Sequence, residues 1–164
     1  MTVTARLDEW KDAVKQAVDK KISSEVLQTT LTSAVEDNSE VFSDMEIVFR
    51  VVMDGCLRED AGKSGKADFV KTIALLNFSF DFALSMSSST VNISKIPFLL
   101  LEDVFEYQTV NQAETMWTIV ESLESKITHP ELFPKGKLVI LKMCNSILRK
   151  LSKSCHTEVS CCSF

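Results

Sequence analysis

The sequence has 164 residues, of which 45% are apolar and 25% are charged. These values are typical of one globular domain and exclude a chain that is disordered throughout. The four Gly and three Pro residues are too few for a β-sandwich or barrel, because such folds need many turns. We therefore expect long helices joined by short loops.

The charge is unevenly distributed along the chain. Residues 1–134 hold 12 basic and 22 acidic residues, whereas residues 135–164 hold six basic residues and one acidic residue. An acidic body repels phosphate, so direct nucleic-acid binding is not expected of it. We interpret the basic segment as the solvated face of a helix, with RNA binding as the alternative. The cations concerned are Lys137, Lys142, Arg149, Lys150 and Lys153.

No segment of the sequence resembles a targeting signal or a membrane span. The first fourteen residues contain acids and no apolar h-region, unlike a secretory signal. The longest apolar stretch, Phe69 to Met86, is interrupted by Lys71 and Asp81, which argues against a transmembrane helix. Five cysteines in a chain without a signal indicate reduced thiols in the cytosol or nucleus.

Apolar residues recur at helical spacing through the first half of the chain, as expected for amphipathic helices. The spacing predicts helices over about 4–20, 23–35, 39–59 and 66–86. The fourth is apolar nearly all round, which indicates a buried helix. The alternation Phe78-Ser-Phe80-Asp-Phe82 would also fit a short strand. We favour the helix because no second strand of similar strength is present to pair with it.

The second half predicts three further helices. A polar loop over 85–94 precedes a helix that begins near Pro97, and helices over about 111–127 and 137–153 follow, separated by a turn over 129–136. The fold class is therefore all-α, an irregular multi-helix bundle of about seven helices. Residues 1–154 are predicted to form a single helical domain, and residues 155–164 a disordered tail.

Two short motifs invite a binding-site interpretation, and neither meets its requirements. The GKSGK run at Gly62 to Lys66 has the Gly-Lys of a phosphate loop, but Leu57 stands where that motif requires a glycine. Cys155, His156, Cys161 and Cys162 have the ligand types of a zinc site. Their spacing does not allow both adjacent pairs to chelate one ion easily. We predict no metal or cofactor site.

No catalytic constellation is evident either. Nucleophilic catalysis needs a Ser or Cys with a positioned base, and His129 and His156 have no convincing partner. Glu102 and Asp103 are neighbours on a helix, so their side chains point about 100° apart and cannot form a dyad. Cys56 and Cys144 occupy core-facing positions and are interpreted as small hydrophobes. A small hydrolase or redox enzyme using Cys155 or Cys161 is disfavoured.

Trp10, Trp117 and Tyr107 are the large amphipathic side chains of the sequence. Residues of this kind are enriched at protein interfaces. They are found still more often in the core or at its edge, and we favour that interpretation here.

Three segments of the second half resemble the THO complex subunit 1 family. They are IPFLLLEDVFEY (Ile96 to Tyr107), NQAETMWTIVE (Asn111 to Glu121) and GKLVILKMCNSILRKLSKS (Gly136 to Ser154). The family has a matching order: a PF-LL-DV helix, a short helix ending in a VE pair, and a GK-LL-MCN-LLR-LSKS helix. The run from Met143 to Ser154 is the most specific part, and Phe49-Arg50 is similar to an earlier helix of the family.

The resemblance implies a non-catalytic helical scaffold subunit of the nuclear THO and transcription–export assembly. Its implied partners are other THO subunits and, indirectly, export factors and nascent mRNA–protein particles, without a membrane. Because family members are several times longer, we expect a truncated gene model, a splice form or a fragment. The matching positions serve equally well as core packing, so the resemblance assigns no residue a role. An unrelated helical protein-interaction adaptor is the alternative.

Overall fold

The computed structural model describes residues 3–19, 25, 27, 29, 41–62, 69–85, 95–107 and 113–161. Every regular element in this part of the chain is an α-helix. The helices are α1 (Val3–Val18), α2 (Val41–Ala61), α3 (Val70–Ser85), α4 (Ile96–Glu106), α5 (Ala113–Ser122), α6 (Glu124–Ile127) and α7 (Phe133–Cys161). The predicted all-α multi-helix bundle is confirmed. The helix predicted over 23–35 and the loop over 85–94 lie largely outside the described residues.

Helices α2, α3 and α4 pack against one another and form the centre of the bundle. Helix α1 covers α2 with the buried side chains of Trp10 and Val14. On the other side, α7 packs against α4 and α5, and the short α6 packs against α3. In the described part of the chain, the main contacts of the long last helix are therefore with α4 and α5. The bundle leaves much of the surface of this helix uncovered.

Aromatic rings fill the space between α2 and its neighbours. The ring of Phe49 on α2 stacks on the rings of Phe78 and Phe82 on α3, with centroid distances of 5.9 and 6.0 Å. Phe80 meets Phe98 on α4 edge to face at 5.5 Å. Because α3 places phenylalanines on several sides, it contacts both α2 and α4. The helix predicted for this segment is confirmed, and the strand alternative is wrong.

A buried carboxylate on α2 fixes the beginning of α3. One oxygen of Asp60 accepts hydrogen bonds from the backbone N–H and from the hydroxyl of Thr72, both at 2.8 Å. The N–H belongs to the first turn of α3, where no intrahelical acceptor exists. A negative charge at this end also interacts favourably with the helix dipole. Phe69, just before the helix, has a φ of 50°, an unusual backbone conformation for a non-glycine residue.

We predict that Asp60→Ala lowers the free energy of unfolding by about 2–3 kcal/mol, because it leaves a buried N–H and a hydroxyl without their acceptor. Urea unfolding followed by circular dichroism measures this change. Asp54→Ala is the matched control on the same helix, since Asp54 forms a solvent-exposed ion pair with Arg58. We expect its cost to be about 0.5 kcal/mol or less. Equal losses in the two variants would contradict the capping role of Asp60.

The helix predicted over 111–127 is divided in two at Leu123. The hydroxyls of Thr118 and Ser122 donate to the carbonyls four residues earlier, an arrangement that often bends helices. After the break, Leu123 and Ile127 are both buried. Lys126 forms an ion pair of 2.7 Å with Asp81 on α3, which ties this segment to the bundle.

Helix α7 is longer than the predicted helix over 137–153. It begins at Phe133, and Pro134 lies in its first turn, where a missing N–H costs no hydrogen bond. It extends to Cys161, but the side chains of residues 154–164 lie outside the described ones. The division into a domain over 1–154 and a disordered tail over 155–164 therefore stays a prediction.

Candidate protein-interaction surface

The paired carboxylates of α4 have different surroundings. Both oxygens of Asp103 accept hydrogen bonds of 2.8 Å from the guanidinium of Arg50 on α2. These bonds with Asp103 are the largest cause that raises the pKa of Arg50 above its ordinary value. Asp103 therefore joins α2 to α4 through a bidentate ion pair, and nothing in this arrangement pairs it with Glu102 for proton transfer.

The thiol of Cys56 lies on the side of α2 that faces the core. Its pKa is raised from 9.0 to about 12, chiefly by burial and in smaller part by the nearby carboxylates of Asp60 and Glu59. A thiolate is the nucleophilic form of cysteine, so this environment suppresses reactivity. The interpretation of Cys56 as a small hydrophobe agrees with its burial.

We predict that Cys56 resists alkylation in the folded protein. A pKa raised by three units lowers the thiolate fraction near neutral pH roughly a thousandfold relative to an ordinary thiol. Treatment with iodoacetamide at about pH 8, followed by peptide mass spectrometry, should leave Cys56 unmodified while the half-buried Cys144 reacts. Addition of urea should expose both thiols, and rapid native labelling of Cys56 would contradict the prediction.

A small cleft beside Cys56 has a polar wall that is already paired. The cleft has a volume of about 220 Å³ and lies between α1, α2 and α3. Lys71 forms ion pairs with Glu59 and, at 3.2 Å, with Asp19. Its hydrogen bond with Glu59 is the largest cause that raises the pKa of Lys71, and the bond with Asp19 is the next. Because the charges neutralise one another, the cleft presents no excess charge that would select a charged ligand.

The remaining motifs give no ligand site in the described part of the chain. Residues 63–66 of the GKSGK run lie outside it, as do the side chains of the Cys155, His156, Cys161 and Cys162 set. Among the described residues, no group of three or more His, Cys, Asp or Glu side chains could hold a metal ion. None of the helices in the described part of the chain combines the length and the apolar character that a membrane span requires.

The most distinctive surface is a row of exposed leucines on α7, which we term the leucine face. Its members are Leu138, Leu141, Leu148 and Leu151, which are 65%, 56%, 64% and 39% exposed. Their spacing of three, seven and three residues places them on one side of the helix. At 1.5 Å per residue, the row extends over about 20 Å of the helix axis.

A neighbouring row of apolar residues on the same helix is buried. Met143 and Ile147 are buried, and Ile140 is half-buried and packed against the core. These residues attach α7 to α4 and α5. Core packing, which the sequence allowed for every apolar position of this helix, therefore accounts for this row and not for the leucines. The helix has two adjacent apolar rows, and the bundle covers only one of them.

Basic side chains border the leucine face. Lys137, Lys142 and Arg149 are exposed, and residues 137–153 contain five basic and no acidic residues. A turn of about 100° per residue places Arg149 beside Leu138 in projection and Lys137 one turn before Leu141. An apolar strip with a charged edge is typical of a surface that binds another helix.

The three amphipathic aromatic residues have three different environments. Trp10 is buried, Tyr107 is half-buried against the core, and Trp117 is exposed on α5. The core interpretation is confirmed for Trp10, which is buried, and for Tyr107, which packs against the edge of the core. It is wrong for Trp117, which is exposed. The sequence contained a signal for the exposed surface of α7, namely an apolar sector wider than one buried row needs.

The chain is similar to a known protein family. A family model described as THO complex subunit 1 transcription elongation factor matches residues 73–161, which is more than half of the chain. The matched region begins within α3 and includes α4 to α7. The leucine face and the buried row of α7 both lie inside it.

Curated relatives named THO complex subunit 1 match over shorter segments. The chain is 42% identical over 57 residues to THO complex subunit 1 of Arabidopsis thaliana, covering 35% of this chain and 10% of that protein. It is 35% identical over 75 residues to that of Mus musculus, covering 46% and 11%. The corresponding protein of Homo sapiens is 39% identical over 61 residues, covering 37% and 9%. The chain thus spans about a tenth of the length of these relatives. No solved structure matches.

Proposed function

The chain belongs to the THO complex subunit 1 family, and on this premise we propose that it is a non-catalytic scaffold segment of a nuclear THO complex. In this proposal it contributes to transcription-coupled packaging of mRNA and to nuclear mRNA export. Its direct partners are other THO subunits, through which it is connected to export factors and nascent mRNA–protein particles. Residues 1–154 act as one helical domain.

The observation that carries the scaffold proposal is the leucine face. Four apolar side chains in water on one helix are costly unless a partner covers them, since burying a leucine fully stabilises by about 1.5–3 kcal/mol. A scaffold works by presenting such surfaces to its partners and requires no reacting groups. The suppressed thiol of Cys56 and the paired charges around it are compatible with this role.

Co-purification tests the proposal. We would express the tagged chain in cells, isolate it from nuclear extract and identify the bound proteins by mass spectrometry. We expect stoichiometric recovery of other THO subunits. Recovery of none of them by a chain that unfolds cooperatively would contradict the proposal and favour an independent helical adaptor.

A further inference from the structure

We propose that the leucine face of α7 is a docking site for an acidic amphipathic helix of a partner protein. This site rests on the proposed function in one respect: the partner is a protein subunit of the complex. The occupant has this chemistry: leucine-type residues on one side of a helix and Glu or Asp along its edges. Three features of α7 support such a site: the spacing of its exposed leucines, its charge and the row that is already buried.

The spacing of the exposed residues fits a helical partner. Leu141 and Leu148 are seven residues apart, and Cys144 and Leu151 each follow one of them by three. This is the a and d pattern of a coiled-coil seam over two heptads, in which side chains of one helix insert between those of another. Leu138 lies at the edge of the seam, and all four leucines are exposed. A partner helix of similar length would cover them together.

The charge of α7 determines which helix fits. Residues 137–153 carry five basic and no acidic residues, although residues 1–134 are strongly acidic. No ion pair among the described residues involves Lys137 or Arg149. An acidic helix would supply a counter-charge to Lys137 at the N-terminal end of the seam and to Arg149 beside its edge, and a basic helix would be repelled along residues 137–153. Lys142 lines a separate cavity with Glu102 and Glu106 of α4, so we assign it no part in docking.

A second copy of the chain is a poorer occupant of the same surface. Pairing the 137–153 segments of two copies through their leucine faces would bring ten basic residues together with no acid in either segment. Like charges across an interface cost affinity and suppress wrong pairing. A nucleic acid would find cations here, but its phosphates would leave the four leucines in water, and stacking requires aromatic or planar side chains that this row lacks.

Synthetic helices offered to the full chain test the proposal. The first peptide has three heptads with Leu at a and d and Glu at e and g, and the second has Lys in place of Glu. Binding is measured by fluorescence anisotropy of the labelled peptides at low and at high salt. We expect the acidic peptide to bind at least about tenfold more tightly than the basic one, with a difference that salt reduces.

Three variants of the chain sharpen the test. Leu141→Ser with Leu148→Ser should weaken binding of the acidic peptide at least about tenfold. Lys137→Glu with Arg149→Glu should remove most of the preference, because residues 137–153 would then carry three basic and two acidic residues. Ile47→Ser with Val51→Ser is the matched control, because these residues form an exposed apolar pair on α2 and should leave binding unchanged.

Several outcomes would overturn the docking proposal. They are absence of peptide binding, equal binding of both peptides, unchanged binding by the leucine variant, dimerisation of the chain through Leu141, and displacement of the peptide by single-stranded RNA. The docking proposal would also be overturned if the leucine variant recovered THO subunits as efficiently as the unchanged chain does. That result would leave the proposed function intact. Peptide binding without any recovery of THO subunits would support the docking surface and contradict the proposed function.

Discussion

The Phe49→Ala variant is expected to lose about 3–5 kcal/mol of its free energy of unfolding, the range found for phenylalanine truncation in well-packed cores. Phe49 is fully buried on α2 and stacks on Phe78 and Phe82 of α3. Alanine removes the ring that both partners contact, so the variant forfeits buried area and leaves a cavity between two central helices. A loss of this size is a large fraction of the stability of a typical domain.

Chemical denaturation of the purified Phe49→Ala variant measures this loss. Two further variants serve as comparisons. Phe49→Leu keeps most of the apolar volume and should cost less than alanine. Trp117→Ala removes an even larger side chain from α5, but that side chain is 56% exposed, so we expect a change within about 0.5 kcal/mol. If Phe49→Ala were as mild as Trp117→Ala, the aromatic contact between α2 and α3 could not be central to the core.

The helices themselves were predictable because helical periodicity reports burial on one side of a segment. Phe49, Val52 and Cys56 on α2 follow that period and are buried as expected. Helix α3 was identified as buried because its apolar residues surround it. The boundaries were less predictable, since they depend on partners distant in sequence. Asp60 precedes α3 by ten residues, and its hydrogen bond to Thr72 becomes visible only when the two helices are packed.

The interaction surface was predictable only in part, and the reason is geometric. Periodicity shows that α7 is rich in apolar residues, but it does not reveal which apolar row meets the bundle. Met143 and Leu141 have the same chemistry in the sequence, and only the position of α4 and α5 separates the buried residue from the exposed one. The resemblance identified the family correctly, yet it could not distinguish residues that hold α7 in place from residues that remain available.

Two adjacent residues of α7 allow stability and binding to be separated by single substitutions. Ile147 is 2% exposed and Leu148 is 64% exposed, so they have similar volumes and opposite environments. We expect Ile147→Ala to lower the free energy of unfolding by about 2–4 kcal/mol through loss of burial and a residual cavity. We expect Leu148→Ala to change it by no more than about 0.5 kcal/mol. Urea denaturation of the two purified variants measures both values.

The same pair predicts opposite orders of effect in complex assembly. If the leucine face binds a THO subunit, Leu148→Ala should lower the recovery of that subunit roughly tenfold although the variant is as stable as the unchanged chain. Ile147→Ala should lower recovery only in proportion to the unfolded fraction, and recovery should return when the temperature is reduced to a level at which it is folded. The contrast is decisive because a purely structural role for α7 makes Ile147 the sensitive position, whereas a docking role makes it Leu148. Full recovery with Leu148→Ala at equal stability would place the binding surface elsewhere on the bundle.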